Sequence, residues 1–306
     1  MSNWAHYRNG NYNVHINLSN GTKIRENELD CLIPEYPESM DIKITNMCNM
    51  GCKFCHENST PDGLHGDIMN LEFINTLHPY TELAIGGGNP LEHPDLEAFL
   101  RKCQELFLIP SMTVHQKHFL ENIDFLRMLR DEKLIYGLGV SVNSPTQEVI
   151  DALKEFPNAV VHVIAGIVTY NDLAALADNS LKILLLGYKD FRRGEALHKS
   201  VGKAIDDKIQ MLYDLLPTMK DKHWFSTISF DNLAIKQLTP ARLLSEEEYN
   251  EFYMGDDGDF TLYVDCVNKK FAISSTSPTT YDILPDIKDM FAKVREVSGH
   301  DKSESV

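Results

Sequence analysis

The chain has 306 residues, with 29 Lys and Arg against 45 Asp and Glu, a formal net charge of −16. Hydrophobic residues make up 43% and charged residues 24%; the first share supplies a core and the second is ordinary for globular proteins, so global disorder is excluded. The acidic balance argues against non-specific binding to nucleic acid or to an anionic membrane surface, because both call for a cationic face.

In chain order, Tyr12 to Leu18 alternates, Ser19-Asn20-Gly21 turns and Thr22 to Arg25 returns, which predicts an N-terminal β-hairpin. Met40 to Thr45 is a short alternating strand. From there strand and helix patterns alternate. Strands are expected at Glu82–Ile85, Ser111–His115, Gly137–Val142, Val160–Val168, Leu181–Tyr188 and Phe225–Phe230, and helices at Asp95–Phe107, Phe119–Leu129, Thr146–Phe156, Leu173–Asp178 and Lys203–Leu216. The tail reads as a helix opened by Ser245 and three glutamates, an acidic turn at 256–259, a hairpin of Phe260–Cys266 with Lys269–Ser274, and a helix from Pro285 to Val297. About six strand–helix repeats imply an α/β fold with a parallel sheet, a partial (β/α)6 barrel of TIM type that stays open. Three segments follow: 1–39 as hairpin and lead-in, 40–230 as barrel, and 231–306 as an α+β extension. No apolar run approaches the ~20 residues of a membrane helix, and the first residues lack the apolar core of a signal peptide. A cytoplasmic location is expected.

Three of six cysteines, Cys48, Cys52 and Cys55, fall within eight residues, directly after the Met40–Thr45 strand. Spacings of four and three would also suit one face of a core helix, but Asn49, Gly51 and the preceding strand oppose a helix there. Structural zinc is a second reading, with His56 as fourth ligand, although adjacent Cys55 and His56 converge poorly on one tetrahedral ion. A third is an iron–sulfur cluster on three thiolates, which leaves one iron open for an exchangeable ligand.

The stretch Cys48-Asn49-Met50-Gly51-Cys52-Lys53-Phe54-Cys55 resembles the Cys-x3-Cys-x-aromatic-Cys pattern of the radical S-adenosylmethionine superfamily, with Phe54 in the aromatic slot. Gly86-Gly87-Gly88-Asn89-Pro90-Leu91-Glu92-His93-Pro94 is similar to that family's Gly-Gly-Glu-Pro stretch, with Asn89 in place of the glutamate. The resemblance covers roughly residues 40–230. It implies a [4Fe-4S] cluster on Cys48, Cys52 and Cys55. It also implies S-adenosylmethionine held near Phe54, Gly87, Gly88 and Asn89, by Ser141 and Asn143 at the ribose, and by Ile164, Leu186 and Tyr188 at the adenine. The activity it implies is reductive cleavage of S-adenosylmethionine to a 5′-deoxyadenosyl radical that abstracts hydrogen from a peptide or small-molecule substrate. A flavodoxin or ferredoxin would supply the electron.

Cys31, Cys103 and Cys266 have no neighbouring cysteines, so an auxiliary cluster is not expected. Cys266 is a candidate hydrogen-atom donor, and His56 and Glu57 are candidate contacts to the site's ligands or the substrate. His65, His115 and His118 are candidate acid–base groups, and Lys189, Arg192 and Arg193 candidate contacts for an anion. The other function class is a non-catalytic α/β-barrel binding module with a structural zinc or iron–sulfur site.

Overall fold

The computed structural model describes residues 3–28 and 31–298. It opens with an antiparallel sheet, β1 (Trp4–Asn9), β2 (Tyr12–Asn17) and β3 (Lys23–Glu26), in the order β1-β2-β3. The expected hairpin is β2–β3, and β1 is an added strand. Its own pattern hides it, because Trp4, His6 and Arg8 interleave with Ala5, Tyr7 and Asn9, and only Ala5 and Asn9 are buried. The turn into β2 uses Gly10 at φ 57°, where a Cβ would collide with the Ile33 carbonyl.

A ten-stranded sheet follows. Seven strands run parallel in chain order: β4 (Ser39–Thr45), β5 (Glu82–Gly87), β6 (Ile109–His115), β7 (Gly137–Ser141), β8 (Ala159–Ile164), β9 (Lys182–Leu186) and β10 (Thr227–Phe230). Between them lie α1 (Leu96–Glu105), α2 (Gln116–Glu121), α3 (Ile123–Asp131), α4 (Gln147–Lys154), α5 (Tyr170–Leu176) and α6 (Arg193–Asp221). α7 (Asn232–Leu238) and α8 (Glu246–Phe252) follow β10. β10 sits at one edge of the sheet, so the barrel is open, as expected. At the other side β11 (Thr261–Asp265) pairs parallel with β4, then carries β12 (Lys270–Ala272) and β13 (Tyr281–Asp282) antiparallel. The C-terminal hairpin thus continues the barrel sheet, and α9 (Ile287–Ser298) closes the description.

Local differences from the sequence pattern have physical causes. The fifth barrel strand stops at Ile164 because Gly166, at φ 81°, turns the chain. The Phe119–Leu129 helix is two, joined at Asn122. The long helix starts at Arg193, with a break at Val201 that confined its regular periodicity to the later part.

One sheet face packs on the helices through Met40, Ile42, Ile44, Leu83, Ile85, Met112, Val114, Leu138, Val140, Val161, Val163, Ile183 and Leu185, all buried in one core. The alternate residues face the lumen and are largely polar. The N-terminal sheet lies at the barrel floor, where Asn17–Thr22 and the strand starts enclose a cavity of about 470 Å³. Glu38, fully buried, fastens it there. Arg25 Nε donates to its Oε1 at 2.9 Å and Arg25 Nη2 to its Oε2 at 3.0 Å, with Lys23 at 3.2 Å. Burial alone would raise the Glu38 pKa, but Lys23 and Arg25 outweigh it and hold it below the ordinary 4.5. Glu38 therefore stabilises the fold above that value, and the contribution is lost as pH falls through the depressed folded pKa. Glu38→Gln is expected to cost about 2 kcal/mol in urea unfolding at pH 7 and to flatten stability against pH below 5.

Candidate active site

The segment from Asn46 to Ile68 crosses the C-terminal end of the barrel, where parallel α/β folds gather ligands. Its backbone is fixed by short bonds. Asn46 N–H donates to Leu64 O at 2.8 Å, Cys48 N–H to Thr60 O at 2.8 Å and Gly66 N–H to Ile44 O at 2.8 Å. The glycine run supports it from below. Gly88 N–H donates to Thr45 O at 2.7 Å and Asn89 N–H to Met47 O at 2.6 Å. A Cβ at Gly88 would lie 2.2 Å from Met47 O, and one at Gly87 would lie 2.4 Å from Thr45 O. Gly86 instead borders open space. Gly88→Ala must push the cysteine loop off its seat, and at least a tenfold loss of reconstituted iron or cofactor affinity is expected.

Cys48, Cys52 and Cys55 are all half-buried and free. Burial raises the Cys48 and Cys52 pKa values, each thiol feels the Cys55 charge, and Arg193 opposes the rise. The Arg193 guanidinium donates to Ser59 O at 2.8 Å, which holds that charge beside the loop. Phe54 is half-buried. Among the described residues no three His, Cys, Asp or Glu side chains converge as a mononuclear ion requires. The His56 ring, the fourth ligand of the zinc reading, is otherwise engaged. Its Nε2 lies 3.3 Å from both Glu57 Oε1 and Lys189 Nζ, so it can donate to one or accept from the other. Three thiols near a cation, with no fourth protein ligand, fit a cluster that keeps an open iron.

The other sequence candidates spread over the barrel mouth. His93 is buried, lies 2.8 Å from Gly66 O through Nε2 and accepts from Asp95 N–H through Nδ1, so it pins the returning arm of the loop. His65 stands 2.9 Å from Thr45 Oγ1. His118 Nε2 meets Asn49 Oδ1 at 2.8 Å, tying α2 to the cysteine loop. Burial lowers the pKa of both rings, and with the neighbouring Lys117 charge brings His115 down to about 4, so both stay neutral at pH 7. Ser141 is half-buried at the end of β7. Asn143 donates its N–H to Gln116 Oε1 at 2.8 Å and stands 3.3 Å from His115 Nε2. Ile164 and Leu186 are in register on the lumen face of β8 and β9.

Three candidates are occupied elsewhere. Asn89 is buried, and its Oδ1 caps the short turn at Leu91. Tyr188 is buried, its hydroxyl donates to Gly194 O, and its N–H and C=O are both bonded to the Gln237 amide at 2.9 and 3.0 Å. Cys266 lies on the core side of β11, where a Cβ on Gly66 would come within 2.7 Å of its own Cβ. Burial pushes the Cys266 thiol pKa well up.

The sequence reading passed over Lys43. It is buried on β4 and reaches Glu57 at 2.9 Å and Asp265 at 3.0 Å. Burial would raise the Glu57 pKa, but His56 and Lys43 win and hold it at about 2. Tyr263 and Arg192 also approach Glu57, at 3.5 and 3.6 Å. This network joins the barrel strand, the cysteine loop and the C-terminal hairpin. The available signal was the alternation itself, since Asp41 and Lys43 interrupt an otherwise apolar strand at every second residue.

A family model described as the radical SAM superfamily matches residues 42–224. The chain belongs to the radical SAM superfamily. It is therefore a radical SAM enzyme, and the cofactors of that family are a [4Fe-4S] cluster and S-adenosylmethionine. Solved structures of Streptococcus suis SuiB share the fold. SuiB bound to the precursor peptide SuiA has a TM-score of 0.63 at 12% identity over 95% of this chain and 87% of that one. SuiB bound to S-adenosylmethionine gives 0.62 at 12% identity over 92% and 85%. No curated protein matches the chain. No helix among the described residues is long and apolar enough to cross a membrane.

Proposed function

We propose that this radical SAM enzyme modifies a peptide by hydrogen abstraction, with Cys48, Cys52 and Cys55 holding the cluster. Bound at the barrel mouth, the cluster and S-adenosylmethionine supply one-electron cleavage of the sulfonium and a 5′-deoxyadenosyl radical. The protein's own residues orient and enclose. Gly86 leaves room for close approach, while Gly87 and Gly88 seat the cysteine loop. Ser141, Asn143, Ile164 and Leu186 line the side expected to meet the nucleoside. His115 and His118 stay neutral near the mouth, and the N-terminal sheet covers the floor at the strand starts. The 1–39, 40–230 and 231–306 segments are proposed as cover of the barrel floor, catalytic barrel and support, with a flavodoxin or ferredoxin as electron donor.

The observation that carries this reading is three half-buried thiols on one glycine-seated loop above an open, polar barrel. The choice of a peptide over a small metabolite rests on SuiB, whose fold matches 95% of this chain, beyond the family's own segment, and which is described bound to a precursor peptide. The test is anaerobic reconstitution with iron and sulfide, followed by S-adenosylmethionine and dithionite. Formation of 5′-deoxyadenosine that depends on Cys52 is expected. A protein that holds four irons and never forms it, with or without candidate peptides, would sink the proposal in favour of a structural cluster.

A further inference from the structure

Arg193 opens α6, at the end of the loop that leaves β9. That loop reaches the arm of the cysteine loop that follows Cys55. Arg192 Nη1 donates to His56 O at 3.2 Å and to Glu57 O at 3.1 Å, and Arg193 Nη2 donates to Ser59 O at 2.8 Å. Lys189 Nζ donates to Ser275 Oγ, beyond β12, at 2.9 Å. The turn is tight, since a Cβ on Gly194 would lie 2.2 Å from Lys189 O. Arg192 itself sits at φ 53° and ψ −117°, a conformation that a residue with a side chain holds only where its surroundings fix it. Gly88 and Asn89 thus seat the arm before Cys48, and two guanidinium groups hold the arm after Cys55.

The two arginines differ in what balances their charge. Arg192 is exposed and lies 3.6 Å from Glu57 Oε2. Arg193 is half-buried, and among the described residues no carboxylate stands within ion-pair distance of it. Acidic partners are abundant in a chain with 45 Asp and Glu against 29 Lys and Arg, and a guanidinium withdrawn from water ordinarily has one. What lies beside Arg193 instead is the cysteine loop. Ser59, whose carbonyl it holds, precedes Thr60, whose carbonyl accepts from Cys48 N–H at 2.8 Å. The Arg193 charge reaches both the Cys48 and the Cys52 thiol. Lys53 is next to Cys52 in the chain, but it is exposed, where water screens it.

We propose that Arg193 is the positioning residue whose fixed positive charge favours the reduced state of the group that Cys48, Cys52 and Cys55 hold. The proposal rests on the reading of those three thiols as cluster ligands and adds what sets the cluster's redox poise. Net charge and nearby hydrogen bonding are among the protein's means of setting such a potential. Reduction takes one electron from the donor and adds one negative charge beside Arg193, so the unpaired guanidinium stabilises the reduced form more than the oxidised one. Its bond to Ser59 O keeps it from swinging into water, and the Arg192 clamp on residues 56 and 57 keeps the loop against it. The acidic chain otherwise opposes electron uptake, which gives one uncompensated cation at this place its effect.

The test is the midpoint potential of the reconstituted full chain, followed by EPR with redox mediators and dithionite as the electron source. Arg193→Gln keeps a donor for Ser59 O and loses the charge. At a fixed applied potential its ratio of reduced to oxidised protein is expected to fall at least tenfold, a shift of about 59 mV to more negative potential for a one-electron couple. Arg193→Lys keeps the charge and is expected to keep the wild-type potential. Equal potentials in the wild type and Arg193→Gln would overturn the proposal, and so would equal shifts in both variants, which would leave Arg193 a strut of the loop. An unchanged potential with weaker S-adenosylmethionine binding would overturn it too, by assigning the guanidinium to the cofactor's carboxylate. If Arg193→Gln takes up no cluster, a loaded Arg193→Lys at the wild-type potential supports the proposal, and any other result for that variant overturns it. Iron content is scored first: a wild-type protein that holds no cluster fails the ligand reading and this proposal together, whereas loaded proteins of equal potential fail this proposal alone.

Discussion

Replacing Cys48, Cys52 or Cys55 by Ala, one at a time, is expected to remove the iron–sulfur absorbance of the reconstituted protein and to drop 5′-deoxyadenosine formation to background. Each thiol sits on a loop whose backbone is held to Gly88 and Asn89 and, across the loop, from Cys48 to Thr60. Cys103 is packed in the core with its thiol pushed up to about 12, Cys266 lies on the core side of β11, and Cys31 is exposed. Cys31→Ala and Cys103→Ala should therefore keep full iron content. Cys266→Ala should keep it too, at a packing cost of about 1 kcal/mol. Iron that survives loss of Cys52 would show that the ligand assignment is wrong.

The barrel was legible because its strands and helices differ in period, and because both faces carry strong signals: continuous apolar positions toward the helices, and turn residues at each strand end. The cysteine loop was legible because spacing and the aromatic slot are local properties of the chain. Two kinds of feature were not. β1 carries few apolar residues, and the long-range partners that stabilise it, β2 and the barrel floor, leave no mark in its own pattern. The lumen chemistry depends on register between strands far apart in sequence. Lys43 meets Asp265 across 222 residues, and nothing in either segment alone announces the pair. Tyr188 shows the opposite limit. The sequence reading ran the strand through Tyr188, but β9 stops at Leu186, and Gln237, brought over by α7, takes both of its backbone groups.

Lys43→Met is expected to destabilise the fold by about 3–5 kcal/mol, the range for breaking a buried ion pair from one side. Lys43 is 2% exposed, and its partners Glu57 and Asp265 are each 8% exposed at the side chain, so water cannot replace the lost cation. The two carboxylates differ in what remains to them. Asp265 keeps the N–H groups of Val267 and Asn268 and the Asn268 amide. Glu57 keeps His56 and a 3.6 Å approach of Arg192. The strain should therefore fall on the cysteine loop as well as on the hairpin, and iron retention should decline along with the urea midpoint. Lys43→Met with Asp265→Asn removes one of the orphaned charges and keeps an Oδ1 acceptor for Val267 and Asn268. It should recover part of the loss, because deleting both partners is far less costly than deleting one. A double-mutant cycle measures this directly. Additive losses, or a Lys43→Met protein as stable and iron-rich as the wild type, would mean that the network does not couple β4, the cysteine loop and the C-terminal hairpin.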